Sequence, residues 1–438
     1  MPRVVVVSPP FRSHAQPLSV LARSLAKAGA DVIFASTPEF ADLAATVAFT
    51  PLRTSGNANT GVAEATAQDD GSTRRLAEFL DSTRRGAVPA LLTQTSHRRA
   101  DMLAAPEEVL GDLAVLHDRL RPDWYVVDQL NYPVTLALHT LGLPFASFCP
   151  GHPTYLVTRD DQFFGLPQLW PSAVRPAEGE LAVLREATAL TDTSFTALFA
   201  DFVRRHGIGV RPPRRAFALT SSHAVVLNYP PFPWLPPLPE APERVFLGHC
   251  TEPEALDDGW RERIRGRRVV LVALGTFLSA RDDVLRVAVT GALRIPDVTV
   301  VVAAGARAAA LADLADDPRV VLEPVVPQRA LLPHVAAVVH HGGNNSFTEA
   351  LVAGVPALVL PFSSDQFCVA HDVERSGAGS CLDPNALTPA GVEAALRALP
   401  GRGSVELRAL RDGVRAAGPD HGASALLRTM ERAHPNGR

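Results

Sequence analysis

The residues best suited to chemistry fall in two places. The first is Ser8-Pro9-Pro10-Phe11-Arg12-Ser13-His14-Ala15-Gln16-Pro17, directly after the apolar run Val4–Val7. His14 stands there at the mouth of a strand, and a neutral imidazole near pH 7 suits proton abstraction. A base of this kind needs a carboxylate to fix its tautomer and stabilise the imidazolium. Asp128, closing the apolar run Trp124–Val127, is the candidate, because it too would sit at a strand end on the same sheet edge. The lesser alternative for it is a helix N-cap ahead of Val134.

The second place is His340-His341-Gly342-Gly343-Asn344-Asn345-Ser346, followed by Phe347-Thr348-Glu349-Ala350-Leu351. It joins the apolar run Ala336–Val339 to a helical pattern. Adjacent glycines let backbone approach a ligand closely, and Asn and Ser are good N-cap residues. The free N–H groups and positive dipole end of the helix start suit a diphosphate. His341 adds a donor on that side, and Glu349, one turn in, can accept two ribose hydroxyls. An ordinary capped turn uses the same residue types, with Glu349 in the cap, so the surrounding pattern decides.

Positioning such residues takes strands that end at one edge. Val4–Val7, a helical pattern through Leu18–Ala28, Gly29 as a stop and Asp31–Ala35 predict a βαβ opening. The rhythm recurs at Trp124–Val127, Val134–Leu141 and Pro144–Phe148, then at Arg268–Ala273, Asp282–Leu293, Val298–Ala303, Val320–Leu322, Ala336–Val339 and Ala357–Leu360. Strands alternating with helices predict parallel sheets covered on both faces. Tyr229–Pro242, with seven prolines, reads as a stiff extended connector. The organisation expected is therefore α/β, with a first doubly wound domain over residues 1–228, the linker 229–242, a second over 243–415, and a helical tail 416–438. Residues 54–120 and 155–215 break the rhythm and are expected at the mouth of the first sheet, where the aromatic stretch Phe163–Trp170 would either pack or touch a ligand.

Composition narrows the classes further. The 438 residues, 47% hydrophobic and 20% charged, are globular, and a formal charge of −4 offers no basic field for nucleic acid. No apolar run approaches the roughly 20 residues of a membrane helix, and the N-terminus has no leader pattern. Cys149, Cys250, Cys368 and Cys381 lack paired or metal-like spacing, which predicts reduced thiols in a cytoplasm. No metal-ligand motif implies a metal, and no G-x-G-x-x-G follows the first strand as a dehydrogenase would require.

The wider pattern around the second place carries a resemblance. Val325-Val326-Pro327-Gln328 precedes it; Gly354-Val355-Pro356 and Pro361-Phe362-Ser363-Ser364-Asp365-Gln366 follow. This span resembles the signature of the family-1 UDP-glycosyltransferases, which include plant secondary-metabolite, animal detoxifying and bacterial macrolide and antibiotic enzymes. The resemblance implies the GT-B arrangement, two facing Rossmann-like domains with nucleotide-sugar in the C-terminal one and acceptor in the N-terminal one. It implies that His341, Gly342, Gly343, Asn345 and Ser346 meet the diphosphate, with Thr276 after Leu274-Gly275 nearby. Glu349 would bind ribose hydroxyls with Gln328 beside it, the backbone of Val326 would lie near the base, and Asp365 and Gln366 would hold sugar hydroxyls. His14 falls where the family carries its base, with Ser13 replacing the usual glycine, and Asp128 falls in the partner's region. Val325 occupies the place of a base-stacking Trp, which leaves uracil and thymine both open.

The activity so implied is inverting transfer of a hexose from a nucleotide diphosphate-sugar to a hydroxyl of a small natural product, without metal or other cofactor. UDP-glucose is the favoured donor and a TDP-deoxysugar the open alternative. Rival readings are a silent nucleotide-sugar-binding helper protein, or a relative such as an epimerase. A phosphorylase would need a pyridoxal lysine, and the single lysine, Lys27, lies in the first helix. Nothing in the sequence sets the oligomeric state.

Overall fold

The computed structural model describes residues 1–54 and 70–433, the side chain of Thr276 apart. Thirteen strands among the described residues form two wholly parallel sheets. The first contains β1 (Arg3–Val7), β2 (Asp31–Ser36), β3 (Ala48–Pro51), β4 (Trp124–Asp128), β5 (Phe145–Cys149), β6 (Ala224–Leu227) and β7 (Glu243–Phe246), in the order β3-β2-β1-β4-β5-β6-β7. The second contains β8 (Arg268–Ala273), β9 (Val298–Ala303), β10 (Val320–Glu323), β11 (Ala337–His340), β12 (Ala357–Val359) and β13 (Gly379–Cys381), in the order β10-β9-β8-β11-β12-β13.

The unbroken valine runs follow from burial on both faces. In the first sheet Val4 and Val6 enter one core with the helix Arg12–Lys27, while Val5 and Val7 enter another with Val134, Ala137 and Leu138. In the second, Val269 and Leu271 face one core and Val270 and Val272 the other. Each sheet reverses its strand order once, between β1 and β4 and between β8 and β11. Such reversals open a crevice beyond the carboxyl ends of the strands, where ligands bind in this architecture.

Two expectations need correcting. The Pro-rich segment does not join the domains: β7, directly after it, pairs in parallel with β6 of the first sheet. Proline excludes regular elements where it stands but does not decide which sheet the next strand joins. Tyr229, Phe232, Trp234 and Leu235 instead pack against the core of the second domain, and the chain crosses over beyond Phe246. The tail also crosses back. Helix Gly418–Ala433 lays Ala423, Leu426 and Met430 into the first domain's core, and Ser24 Oγ donates to Asp420 Oδ1 at 2.8 Å. A Cβ on Gly422 would fall 1.8 Å from Leu247 Cδ2, so any side chain there would have to displace Leu247.

Finally, the first helix starts at Arg12, not Leu18, and carries Pro17 inside it. His14 therefore rides on a helical turn. The insertions supply helices Asp70–Arg85, Ala87–Met102, Pro106–Leu120 and Glu178–His206; residues 55–69 lie outside the described residues. The aromatic stretch packs: Phe164 stacks on Phe217 at 5.1 Å, and Trp170 meets Phe367 of the second domain at 4.7 Å.

Candidate active site

β1 and β4 are neighbours in register, Val7 opposite Val127, so residues following them emerge side by side at the first switch point. His14 Nδ1 lies 2.9 Å from Asp128 Oδ2. Asp128 is fully buried, and its Oδ1 accepts the Leu130 N–H at 2.9 Å, which holds the carboxylate against rotation. A carboxylate facing Nδ1 places the ring proton there and leaves the Nε2 lone pair free. The imidazole keeps 23% of its side-chain surface exposed. Burial acts to lower its pKa, but the charge and hydrogen bond of Asp128, with the charge of Asp365, outweigh burial and lift it above 6.5.

The second switch point carries the glycine-rich turn. β11 ends at His340, and helix Asn344–Ala353 begins four residues later. Gly342, at φ +87°, takes a left-handed turn that a side chain would strain, and its N–H donates to His340 Nδ1 at 3.0 Å. His340 is fully buried and serves the turn. The His341 ring lies between two glycines: a Cβ on Gly275 would come within 2.7 Å of it, and one on Gly343 within 2.4 Å. Burial pushes the His341 pKa down to about 4, so the ring is neutral near pH 7. Thr276 falls in the one-turn helix Gly275–Leu278, its side chain outside the described residues.

One turn into the helix, Gln328, Ser346 and Glu349 converge. Gln328 Nε2 donates to Glu349 Oε2 at 2.7 Å and to Ser346 Oγ at 3.3 Å. Burial lifts the Glu349 pKa to about 7, although the Gln328 hydrogen bond and the Arg329 charge pull it down. Val326 is buried, while Val325 beside it is 70% exposed.

Asp365 and Gln366 are deployed differently from each other. Gln366 folds inward, its Oε1 accepting the N–H groups of Phe362 at 2.8 Å and Ser363 at 3.2 Å. Asp365 faces the first domain, accepting the His152 N–H at 2.8 Å and the Tyr155 hydroxyl at 3.1 Å. Gly151 makes this approach possible, since a Cβ there would stand 2.5 Å from Asp365 Oδ2. Tyr155 also hydrogen-bonds Ser364.

Several residues at this junction lack a sequence signature. The His152 ring, fully buried, meets Asp372 Oδ2 at 3.0 Å, and Asp372 also accepts from Tyr229 at 2.9 Å and Trp234 at 2.9 Å. Two helical turns separate Asp365 from Asp372, so one helix face carries both. Asn344 Nδ2 donates across the cleft to the carbonyls of Pro150 at 2.7 Å and Asn228 at 2.8 Å. Among the described residues no cluster of His, Cys, Asp or Glu could hold a metal ion, and no helix is long and apolar enough to cross a membrane.

Two doubly wound parallel sheets, each with one reversal of strand order, make the GT-B architecture. Residues 287–416 match the family described as Erythromycin biosynthesis protein CIII-like, C-terminal domain. The chain is 30% identical over 297 residues to 4'-demethylrebeccamycin synthase of Lentzea aerocolonigenes, covering 66% of this chain and 69% of that protein. In fold it is similar to the glycotransferase of kitacinnamycin, with TM-score 0.69 and 23% identity over 98% of this chain and 99% of the other. It is also similar to glycosyltransferase VinC in complex with DTDP, with TM-score 0.65 and 22% identity over 98% and 100%. The chain belongs to the family-1 glycosyltransferases of antibiotic and natural-product type. It is an enzyme of that class.

Proposed function

We propose that the enzyme inverts the sugar it transfers, with His14 as general base and Asp128 as its orienting partner. The observation that carries this reading is the 2.9 Å His14–Asp128 contact at the first switch point, facing the glycine-rich helix start. His14 Nε2 takes the proton of an acceptor hydroxyl as its oxygen bonds to the anomeric carbon. The bond from that carbon to the phosphate oxygen breaks in the same displacement, and the nucleoside diphosphate leaves from the opposite face. The N–H groups at the helix start and a donor proton from His341 meet the diphosphate charge, and no metal takes part in this scheme. Glu349 and Gln328 hold the ribose. The reading places the enzyme in the cytoplasm.

Two donors fit this site. The Asp365-Gln366 pair points to a hydroxyl-rich sugar, UDP-glucose. The inward amide of Gln366 withdraws one of those two anchors, and this favours a deoxysugar on thymidine diphosphate, in line with the DTDP complex of the VinC relative. Calorimetry with UDP, TDP, GDP and ADP, followed by transfer assays with UDP-glucose and TDP-deoxysugars against natural-product hydroxyls, tests both. Failure of all four nucleotides to bind at millimolar concentration would remove the donor site, whereas nucleotide binding with neither transfer nor donor hydrolysis would bring the helper-protein reading forward.

Two substitutions probe the donor site directly. Gly343→Ala drives a methyl into the His341 ring, and such overpacking costs about 1–3 kcal/mol. Nucleotide affinity should fall by about tenfold or more, and the thermal midpoint should drop by a few degrees; unaltered affinity would mean that His341 does not serve the diphosphate. Val325→Trp supplies the missing aromatic face, and base–aromatic stacking is worth about 1–3 kcal/mol. Calorimetry should show tighter UDP or TDP binding, whereas no gain would place the base away from residue 325.

A further inference from the structure

The turn that carries His14 is joined to the donor-binding domain through an acceptor atom that a proline sets free. In a regular helix the carbonyl of Ser13 accepts the N–H of residue 17. That residue is Pro17, which has no N–H to give. The carbonyl instead accepts from Asn345 Nδ2 at 2.7 Å, across the cleft. Asn345 is the second residue of helix Asn344–Ala353, and its Oδ1 faces Asn228 Nδ2 of the first domain at 3.5 Å. Both ends of this amide therefore point at the acceptor domain, away from a phosphate at the helix axis.

A second contact runs beside the first. With its amide oxygen turned to Arg329, Gln16 accepts from the guanidinium at 2.7 Å and 3.0 Å. Arg329 follows Gln328, which holds Glu349. Ser13, one residue before the base on its helix, and Gln16, two residues after it, thus touch the two elements that frame the donor site.

We infer that Asn345 is a positioning residue for His14, acting through the Ser13 carbonyl that Pro17 leaves open, and that donor occupancy sets the placement of the base through this contact. The inference rests on the proposed donor site and base. It reassigns Asn345 from diphosphate ligand to interdomain tether. Misplacing a catalytic group by about 1 Å can cost up to about 100-fold in rate, so loss of the tether should lower turnover rather than donor affinity.

The test uses the full chain and its Asn345→Ala, Pro17→Ala and doubly substituted forms. Pro17→Ala returns an N–H to the Ser13 carbonyl within the helix. The His14 ring resonance, assigned with His14→Ala, is followed by NMR while UDP or TDP is added, and nucleotide Kd is measured by calorimetry. In the wild type the resonance should move on nucleotide binding. In both single variants that response should be lost with Kd changed less than about twofold, and transfer kcat should fall by about tenfold or more. The double variant should be no worse than Asn345→Ala, because Pro17→Ala acts on that same contact by offering the Ser13 carbonyl a competing donor. A His14 response that persists equally in both variants overturns the inference and leaves the donor site standing. An Asn345→Ala Kd weakened by about tenfold or more with kcat intact restores the phosphate role and overturns it as well. A wild type that binds neither nucleotide removes the donor-site reading and this inference with it, and transfer retained by His14→Ala removes the base.

Discussion

His14→Ala should abolish transfer, lowering kcat by about 10²- to 10⁴-fold, the usual contribution of a positioned general base. Nucleotide binding should survive, because the glycine-rich turn lies in the other domain and does not hydrogen-bond this ring. The fold should survive too, since the imidazole is partly exposed and packs on one polar partner. Asp128→Asn is the sharper variant. An amide can offer Nδ1 an N–H, which would put the ring proton on Nε2 and remove the lone pair that must face the acceptor. The two variants together distinguish loss of the base from loss of its tautomer.

The same pair fixes a pH dependence. The His14 pKa is raised above 6.5, against burial, by the charge and hydrogen bond of Asp128 and the charge of Asp365. Only the neutral ring can take a proton, so kcat should rise with pH through a midpoint above 6.5. Asp128→Asn should move that midpoint down while lowering the plateau. The stability contribution of His14 has the opposite sense. A raised folded-state pKa favours the folded protein below pH 6.5, and that share is lost as pH climbs through the folded-state value. An acid-side optimum for kcat would contradict the base assignment.

Legibility in the sequence divided along a physical line. β1, β4, β8 and β11 could be read because strands buried on both faces need unbroken β-branched runs, and Val4–Val7 or Arg268–Ala273 have no other plausible form. With those strands placed, topology set Asp128 at one carboxyl end and the segment holding His14 just beyond its neighbour's, and the family resemblance singled out His14 within that segment. The long motif set Gln328 and Glu349 in one neighbourhood, and there they hydrogen-bond. What could not be read depends on how two separately folded sheets meet. His152 against Asp372, Asn344 on the carbonyls of Pro150 and Asn228, and Asn345 on Ser13 join residues 116 to 332 positions apart. No local period or spacing encodes such contacts. The proline-rich segment misled for a related reason: proline density reports which hydrogen bonds are impossible, whereas domain membership depends on which sheet edge lies within reach.

Nucleotide affinity should tighten by about tenfold between pH 6 and pH 8 through Glu349 alone. Burial lifts its pKa to about 7 in the free protein, so the carboxyl is largely protonated at pH 6 and largely ionised at pH 8. Ribose hydroxyls donate, and a carboxylate accepts from both where a carboxylic acid must spend one oxygen as a donor. Binding therefore selects the ionised form, and each pH unit below the pKa lowers apparent affinity by about tenfold. Without nucleotide, a raised carboxyl pKa is a burden on the folded state that builds as pH climbs from 4.5 to about 7. The gain in thermal midpoint on adding UDP or TDP should consequently grow from pH 6 to pH 8. Glu349→Gln keeps the shape and the contact with Gln328 but cannot ionise, so it should bind weakly at both pH values, with the pH dependence reduced to whatever His341 and the terminal phosphate supply. Glu349→Ala should weaken binding at pH 8 by about 10- to 100-fold, the cost of losing hydrogen bonds to a charged group. Equal affinity of wild type and Glu349→Gln across this range would mean that the ribose is held elsewhere. In that case Glu349 is a capping residue whose raised pKa reflects burial under Gln328, and the donor would have to be sought along the helix start alone.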